Sequence, residues 1–267
     1  MKLKDIMAAV ERVAPLALQD DYDNAGLQVG DREMEVTGVL VCLDVTEAIL
    51  DEAIARKCNV IVSHHPLIFR PLRRIAGDSY QERVVIKAIL SGVAIYSAHT
   101  NLGNAAEGVN YKIASLLGLK DLQWLQPKGE IAGVSCGSGV VGVLPQPEAE
   151  DAFLARVKAI FGVECLLHNA TKGRQIQRVA LCGGAGAFLL RDAVAAGADC
   201  FITGEMHYHD YFGHEPWVSG SDDLLLVETG HYQSEQYTKD LLRDLLAEVP
   251  GLRIEMTELN TNPIQYM

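Results

Sequence analysis

The chain has 267 residues, 49% of them hydrophobic, which is enough for one large or two modest domains with hydrophobic cores. Its formal net charge of −12 disfavours nucleic-acid binding, because affinity for a phosphate backbone depends largely on lysine and arginine. The six cysteines are dispersed and mostly lie in apolar runs, and we find neither a signal-peptide core nor a run as long as a membrane span. We therefore expect a soluble, cytoplasmic protein.

The first part of the chain alternates predicted helices and strands. In order, we predict a helix over 3–14 ended by Pro15, a turn-rich segment over Asp20–Gly30 leading into a short strand, a strand over Val36–Leu43, a helix over Thr46–Cys58, a strand ending at His64, a helix over 80–91, a strand over Val93–Ala98 and a helix over 105–118. Such alternation predicts an α/β fold with a largely parallel sheet and helices on its faces.

The glycine-rich segment from Pro127 to Gly139 is where we place the crossover between two lobes. The pattern then restarts with a strand over 140–144, a helix over 148–161, a short strand over 163–167 and a further unit from Arg178. A shift of about 140 residues superposes Val39–Cys42 on Val179–Cys182, and Asn59–Ser63 on Asp199–Thr203. We interpret this as an internal β-α-β repeat.

The third strand of each copy aligns at a shift of about 132 residues, which sets His99 over His231. His231-Tyr232-Gln233-Ser234-Glu235 is an H-x-x-x-E motif, and residues i and i+4 share one face of a helix. In this alignment Gly103 occupies the position of Glu235 in the first copy.

Imidazole side chains follow several predicted strands, where the chemistry of α/β proteins commonly collects. His64, His65 and His99 end strands of the first copy, and His231 with Glu235 follows a strand of the second. These nitrogen and oxygen donors suit Zn, Fe, Mn, Ni or Co, and one or two ions of this kind activate water for hydrolysis. We expect these five residues to form a metal site.

Two further groups of residues leave their interpretation open. His207, His209 and His214 are either metal ligands, lining residues of a cavity, or part of an exposed loop. The basic group Arg70, Arg73 and Arg74 either holds a small phosphorylated ligand or is a solvated loop.

Motifs along nearly the whole chain resemble the hexameric dinuclear-metal-centre family often called GTP cyclohydrolase 1 type 2 homologues. They are Tyr22-Asp23-Asn24-Ala25-Gly26-Leu27-Gln28-Val29-Gly30, Ser63-His64-His65-Pro66, Ala98-His99-Thr100-Asn101-Leu102, Thr203-Gly204-Glu205 and Gly230-His231-Tyr232-Gln233-Ser234-Glu235. The resemblance implies two interlinked α/β lobes, a two-metal site in the cleft between them and a toroidal homohexamer, without the extra middle domain of longer members. We assign residues 1–125 with 226–267 to one lobe and 126–225 to the other.

Carried over by position, the implied metal ligands are His64, His65, His231 and Glu235, with His99 adjacent or contributing. The family has an aspartate directly after the leucine of its third motif, where this chain has Gly103. This departure implies a single-metal protein, an inactive member, or replacement of the carboxylate by Glu107 or Glu205.

The leading interpretation is a metal-dependent, hydrolase-like protein acting on a small, nucleotide-like substrate. The alternative is a non-catalytic hexameric scaffold that binds metal or a partner. The family label alone is a weak guide to substrate, because one fold serves many reactions.

Overall fold

The computed structural model describes residues 1–215 and 223–267. Their contacts divide the chain into two compact units. Unit 1 comprises Met1–Ala105 and Thr238–Gln265, and unit 2 comprises Ala106–Tyr237 and Tyr266–Met267. No helix in the described ranges is long and apolar enough to cross a lipid bilayer.

Helices and strands alternate along most of the described residues. In chain order they are α1 (Leu3–Glu11), β1 (Gly26–Val29), β2 (Val39–Cys42), α2 (Glu47–Ala55), β3 (Val60–Ser63), α3 (Tyr80–Ser91), β4 (Ala94–Ser97), α4 (Thr100–Gly103), α5 (Val109–Leu116), β5 (Lys120–Ile131), β6 (Val134–Ala149), α6 (Glu150–Phe161), β7 (Leu167–His168), β8 (Gln175–Cys182), α7 (Leu190–Ala195), β9 (Cys200–Thr203), β10 (Leu225–Glu228), α8 (His231–Glu235), α9 (Thr238–Ala247) and β11 (Ile254–Met256). Short 3-10 helices occupy Leu16–Leu18, Gly186–Leu189 and Tyr208–His214.

Local sequence signals account for the helices of unit 1. The Thr46 hydroxyl accepts a hydrogen bond from the backbone N–H of Ile49 and so caps the N-terminus of α2. Ser79 caps α3 in the same way, and Gly92 ends that helix in the left-handed conformation. The predicted bounds of this helix, residues 80–91, are confirmed. Both of its ends carry a strong local signal, namely the Ser79 cap and the left-handed Gly92.

The sheet of unit 1 has the order β1-β4-β3-β2-β11. Strands β11, β2, β3 and β4 are parallel neighbours, and β1 pairs antiparallel with β4 at the edge. Parallel strands buried on both faces have near-continuous apolar sequences, and every residue of β2, β3 and β4 is buried. Side chains such as Leu40, Ile61 and Ile95 pack with α2 and α3 into one core cluster.

The sheet of unit 2 has the order β5-β6-β8-β9-β10-β7. Its strands β8, β9 and β10 are parallel, whereas β5, β6 and β7 add antiparallel pairs. A second core cluster includes Val141, Ala180, Phe201 and Leu226. The predicted α/β class with parallel and mixed sheets is thereby confirmed.

The predicted repeat also appears in the strand register. Val39 pairs with Val60 in unit 1, and Val179 pairs with Cys200 in unit 2. Val179 lies 140 residues after Val39, and Cys200 lies 140 residues after Val60, so both partners of the pair are shifted by the same number of residues. The first two strands of each copy therefore have the same pairing as well as similar sequences.

The predicted alignment of the third strand is wrong by one residue. Val60 pairs with Ala94, and its counterpart Cys200 pairs with Leu225, so the shift is 131 residues, the difference between Leu225 and Ala94. His231 consequently corresponds to Thr100 rather than to His99. By the same shift, Glu235 corresponds to Asn104 rather than to Gly103. Short apolar strands look alike at adjacent offsets, and only backbone pairing fixes their register.

Three segments differ from their predicted structure. The glycine-rich stretch 127–139 belongs to the β5–β6 hairpin, whose turn uses Ala132 and Gly133 at positive φ. The predicted helix over 105–118 begins only at Val109, after the separate short helix α4. The predicted strand over 163–167 is reduced to β7 at Leu167–His168.

The compact units also differ from the predicted lobes in residues 106–125, 226–237 and 266–267, all of which pack with unit 2. Strand β5 pairs with β6, and β10 continues the parallel β8–β9 ladder, so backbone hydrogen bonds tie the first two of these segments to unit 2.

Candidate metal centre

Three of the predicted site histidines lie together in unit 1. His64 and His65 follow β3 directly, and His99 follows the parallel neighbour β4 by two residues. The two strands therefore deliver all three imidazoles to the same edge of the sheet. One ring nitrogen of each residue lies within 4.8 Å of the others. Two ligands of one ion with bonds of ~2.1 Å stand roughly 3 to 4 Å apart, so this spacing is close to that of a chelating group.

Each of these imidazoles is held through its Nδ1 atom. His64 Nδ1 lies 2.7 Å from the carbonyl oxygen of Ala98. His65 Nδ1 lies 2.7 Å from Asp44 Oδ1, and His99 Nδ1 lies 2.7 Å from Asp23 Oδ1. Carbonyl and ionised carboxylate oxygens only accept hydrogen bonds, so the hydrogen belongs to each Nδ1.

This arrangement leaves Nε2 as the ligating atom. A neutral imidazole with its hydrogen on Nδ1 presents its lone pair at Nε2. Histidine ligands in proteins commonly donate their other N–H to a carboxylate or a backbone carbonyl, which fixes the ring orientation. The donor set and its supporting acceptors therefore fit a divalent transition metal.

The Asp23 side chain is fully buried and that of Asp44 is partly buried, and both carboxylates stay ionised. Burial alone would raise the pKa of Asp23, but hydrogen bonds from His99 and Thr100 outweigh it and leave the pKa at about 2. Burial also opposes ionisation of Asp44, whose pKa is nevertheless lowered by His65 and by the Thr261 hydroxyl, 2.6 Å from Oδ2. Both groups therefore bring negative charge beside the imidazoles at neutral pH.

The sequence patterns identify these acids incompletely. They mark Asp23 only as part of a turn-rich segment, and they do not single out Asp44. Asp44 lies two residues beyond the end of β2, so it belongs to the same row of strand ends as His65 and His99. A search for carboxylates as well as histidines just beyond the predicted strands would have identified Asp44.

In unit 2, His231 and Glu235 are the first and last residues of α8. His231 Nε2 lies 3.0 Å from Glu235 Oε2, so the predicted sharing of one helical face is confirmed. Glu205, which follows β9, places Oε2 3.4 Å from His231 Nδ1. The sequence named Glu205 only as one replacement for the carboxylate missing at Gly103, and the structure places it beside His231.

A glycine makes room for the Glu235 carboxylate. A Cβ atom at Gly184 would lie 2.6 Å from Glu235 Oε1, and its φ of +64° is itself unfavourable for other residues. The backbone N–H of Gly184 also donates to the Ser234 hydroxyl, which in turn donates to the His231 carbonyl. The loop after β8 therefore fixes α8 and both of its donors.

The second histidine group does not form a cluster of its own. His207 lines a cavity of about 670 Å³ together with Glu205, Asp210 and Glu228. His209 is exposed, and His214 is buried. Of the three histidines, His207 thus lines this cavity, and its contact with a substrate stays a prediction.

Gly103, where the family resemblance places an aspartate, has space for a side chain. A Cβ atom added there would meet no other atom within 4 Å. The following residue, Asn104, is buried, and its amide donates to the Leu18 carbonyl and to Asp20. Glu107 is exposed.

The family model described as Duf34/NIF3 (NGG1p interacting factor 3) matches residues 1–263. A Lactococcus lactis protein called GTP cyclohydrolase 1 type 2 homolog is 35% identical over 268 residues, covering 98% of each chain. A Streptococcus pneumoniae protein of the same name is 30% identical and is covered in full, as is this chain. The crystal structure of a Bacillus cereus protein related to NIF3 matches with a TM-score of 0.89 and 25% identity, covering 100% of this chain and 99% of that chain.

Proposed function

The chain belongs to the Duf34/NIF3 family, and on this premise we propose that it is a divalent-metal-binding, hydrolase-like protein that acts on a small nucleotide-like substrate. The observation that carries the proposal is the group of three imidazoles in unit 1, each anchored at Nδ1 and presenting Nε2. Relatives named GTP cyclohydrolase 1 type 2 homolog support the substrate class through their names.

In this proposal His64, His65, His99, His231 and Glu235 hold one or two ions. A bound divalent ion would supply Lewis acidity and a water molecule of lowered pKa. The chain's own contribution is positional: Asp23, Asp44 and the Ala98 carbonyl keep each imidazole in one orientation and one tautomer. The proposal also includes a homohexamer and a cytoplasmic location.

One observation favours the alternative of a non-catalytic metal-binding scaffold. Gly103 supplies no carboxylate where the family resemblance places one, and a carboxylate lost beside a metal leaves its charge less neutralised. The scaffold would keep the histidine group for structure or metal storage, without turnover.

Metal content and turnover, measured on the same preparation, separate the two. We expect chelator-treated protein to take up at least one Zn²⁺ or Mn²⁺ per chain by elemental analysis, and to regain turnover of GTP or another nucleotide on metal addition. His64→Ala should lower metal content, whereas His209→Ala, at an exposed histidine, should leave it unchanged. Uptake of at least one ion without turnover would favour the scaffold, and uptake below half an ion per chain would contradict a metal site.

A further inference from the structure

An exposed aromatic pair lies directly beside the histidine group. The ring centroids of Phe69 and His99 are 5.9 Å apart at 87°, and those of Phe69 and Tyr22 are 6.4 Å apart at 67°. Phe69 is 41% exposed and Tyr22 is 64% exposed. Large exposed rings that are held in place next to a reactive group offer an apolar face to a flat ligand.

Three arginines follow this pair along the chain. Arg70, Arg73 and Arg74 are all exposed, and none forms an ion pair or a side-chain hydrogen bond with the residues described in 1–215 and 223–267. By contrast, Arg56, Arg174 and Arg243 each contact at least one carboxylate. In a chain of net charge −12, three exposed arginines within five residues, none of them ion-paired with a described residue, give this loop a local positive charge.

The segment that carries these side chains is anchored at its beginning. Asn24 Nδ2 donates to the Ile68 carbonyl at 2.6 Å, and the Ile68 N–H donates to Gln28 Oε1 at 3.2 Å. The motif around Asn24 thus fixes the backbone just before Phe69. The same motif holds His99 through Asp23, so one turn positions both an imidazole and the aromatic ring.

Further along, the segment is fixed twice more. Leu72 packs against the core of unit 1, which directs its exposed neighbours outward. The Glu82 carboxylate accepts hydrogen bonds from the backbone N–H groups of Ala76 and Asp78 at 2.9 and 3.1 Å. The arginines therefore project from an ordered loop, which lowers the entropic cost of holding a ligand.

We propose that Tyr22, Phe69, Arg70, Arg73 and Arg74 form the recognition surface for a single nucleoside polyphosphate, with the rings contacting the base and the guanidinium groups contacting the phosphates. Guanidinium groups pair with phosphate through short, charge-assisted hydrogen bonds, and they do so more specifically than lysine does. Base stacking on aromatic rings tolerates any base, so this surface selects the class of ligand rather than one base. The inference rests on the proposed function for its substrate class, but it concerns residues that hold no metal.

The test measures nucleotide binding separately from metal binding. Titration calorimetry with GTP, guanosine and inorganic tripolyphosphate is performed on the whole 267-residue chain, with and without divalent ion. We expect GTP to bind more tightly than either fragment, since it alone reaches both the rings and the arginines. The triple variant Arg70→Gln, Arg73→Gln, Arg74→Gln should weaken GTP binding at least tenfold and leave guanosine unaffected. Phe69→Leu should weaken GTP and guanosine together.

Arg191→Gln removes an exposed arginine of α7 and should leave the GTP dissociation constant unchanged. An unchanged constant in the triple variant, equal loss in Arg191→Gln, or tripolyphosphate binding as tightly as GTP would overturn the proposal. Tighter binding of a single-stranded oligonucleotide than of GTP would also overturn it, in favour of a nucleic-acid ligand. Nucleotide binding by protein that takes up no metal would leave this surface standing while the proposed function fails.

Discussion

Asp23 illustrates how a single carboxylate supports the histidine group. Its side chain is fully buried, Oδ1 accepts from His99 Nδ1, and Oδ2 accepts from both the backbone N–H and the hydroxyl of Thr100. These contacts orient the imidazole before any ion arrives. Removing the charge should therefore affect metal affinity more than overall folding.

Replacing Asp23 by asparagine should weaken metal binding by about 10- to 100-fold, the usual effect of losing a carboxylate that supports a histidine ligand. The amide keeps one acceptor but turns an N–H₂ group towards donors, so His99 or Thr100 loses its partner. Competition titration with a coloured chelator measures the dissociation constant.

The control is Asp21→Asn, which changes an exposed acid two residues away and keeps the net charge equal to that of the test variant. Equal affinities in the two variants would show that the hydrogen bond to His99 does not support a metal ligand.

Individual residues of the site differ in how well the sequence predicts them. His64, His65 and His99 were predicted because each follows an apolar strand, a pattern that is visible along the chain. The partner of each Nδ1 was not predictable in the same way. The hydrogen bonds of Asp44 with His65 and Thr261 form only when three distant segments pack together, so no local sequence pattern predicts them.

Among the elements of unit 2, helix α6 is linked to the loop before β8 by one acidic residue, Glu150. Glu150, the first residue of α6, is buried and ion-pairs with Arg174. Its Oε2 also accepts from the backbone N–H groups of Lys172 and Gly173, each at 2.7 Å. Burial opposes the charge, but these hydrogen bonds outweigh it and lower the pKa below the ordinary value of 4.5.

The lowered pKa predicts an acid-dependent loss of stability. Because the carboxylate titrates at lower pH when folded than when unfolded, it stabilises the fold above about pH 4.5, and this contribution is lost as the pH falls through the folded value. Glu150→Gln should therefore lower the free energy of unfolding by ~3 kcal/mol at pH 7, since it removes the buried partner of Arg174 and leaves only the ion pair with the exposed Asp223. Urea denaturation between pH 3 and 7 measures the difference.

Glu164→Gln provides the comparison, because Glu164 is exposed and lies just beyond the same helix. The gap in stability between the Glu150 and Glu164 variants should narrow below pH 4.5. A gap that is constant with pH would contradict the ionic origin of the effect.

Elements whose ends carry strong local sequence signals were predicted well, whereas the register between the third strands of the two copies was not. Helix α3 has a serine N-cap and a terminal glycine, so its bounds followed from the sequence. Strands β4 and β10 are short apolar runs without polar markers, and the alignment between them slipped by one residue. The slip had a chemical consequence, because it matched Gly103 to Glu235, whereas the hydrogen-bonded register matches Asn104 to Glu235.

At the scale of the whole molecule, the α/β class and the internal repeat were both visible in the sequence. Alternating apolar runs and amphipathic helices set the class, and identical pairing of the first two strands in each copy supports the repeat. We propose that five donors, distant in sequence, serve one metal centre.

Anomalous diffraction from crystals grown with Zn²⁺ or Mn²⁺, collected on either side of the metal absorption edge, tests this claim most directly. We predict one or two anomalous peaks, with the Nε2 atoms of His64, His65 and His99 among the ligands at ~2.1 Å and with His231 and Glu235 completing the set. A single peak would agree with the missing carboxylate at Gly103, and two peaks would show that another residue replaces it. Absence of any peak within bonding distance of these histidines would contradict the account.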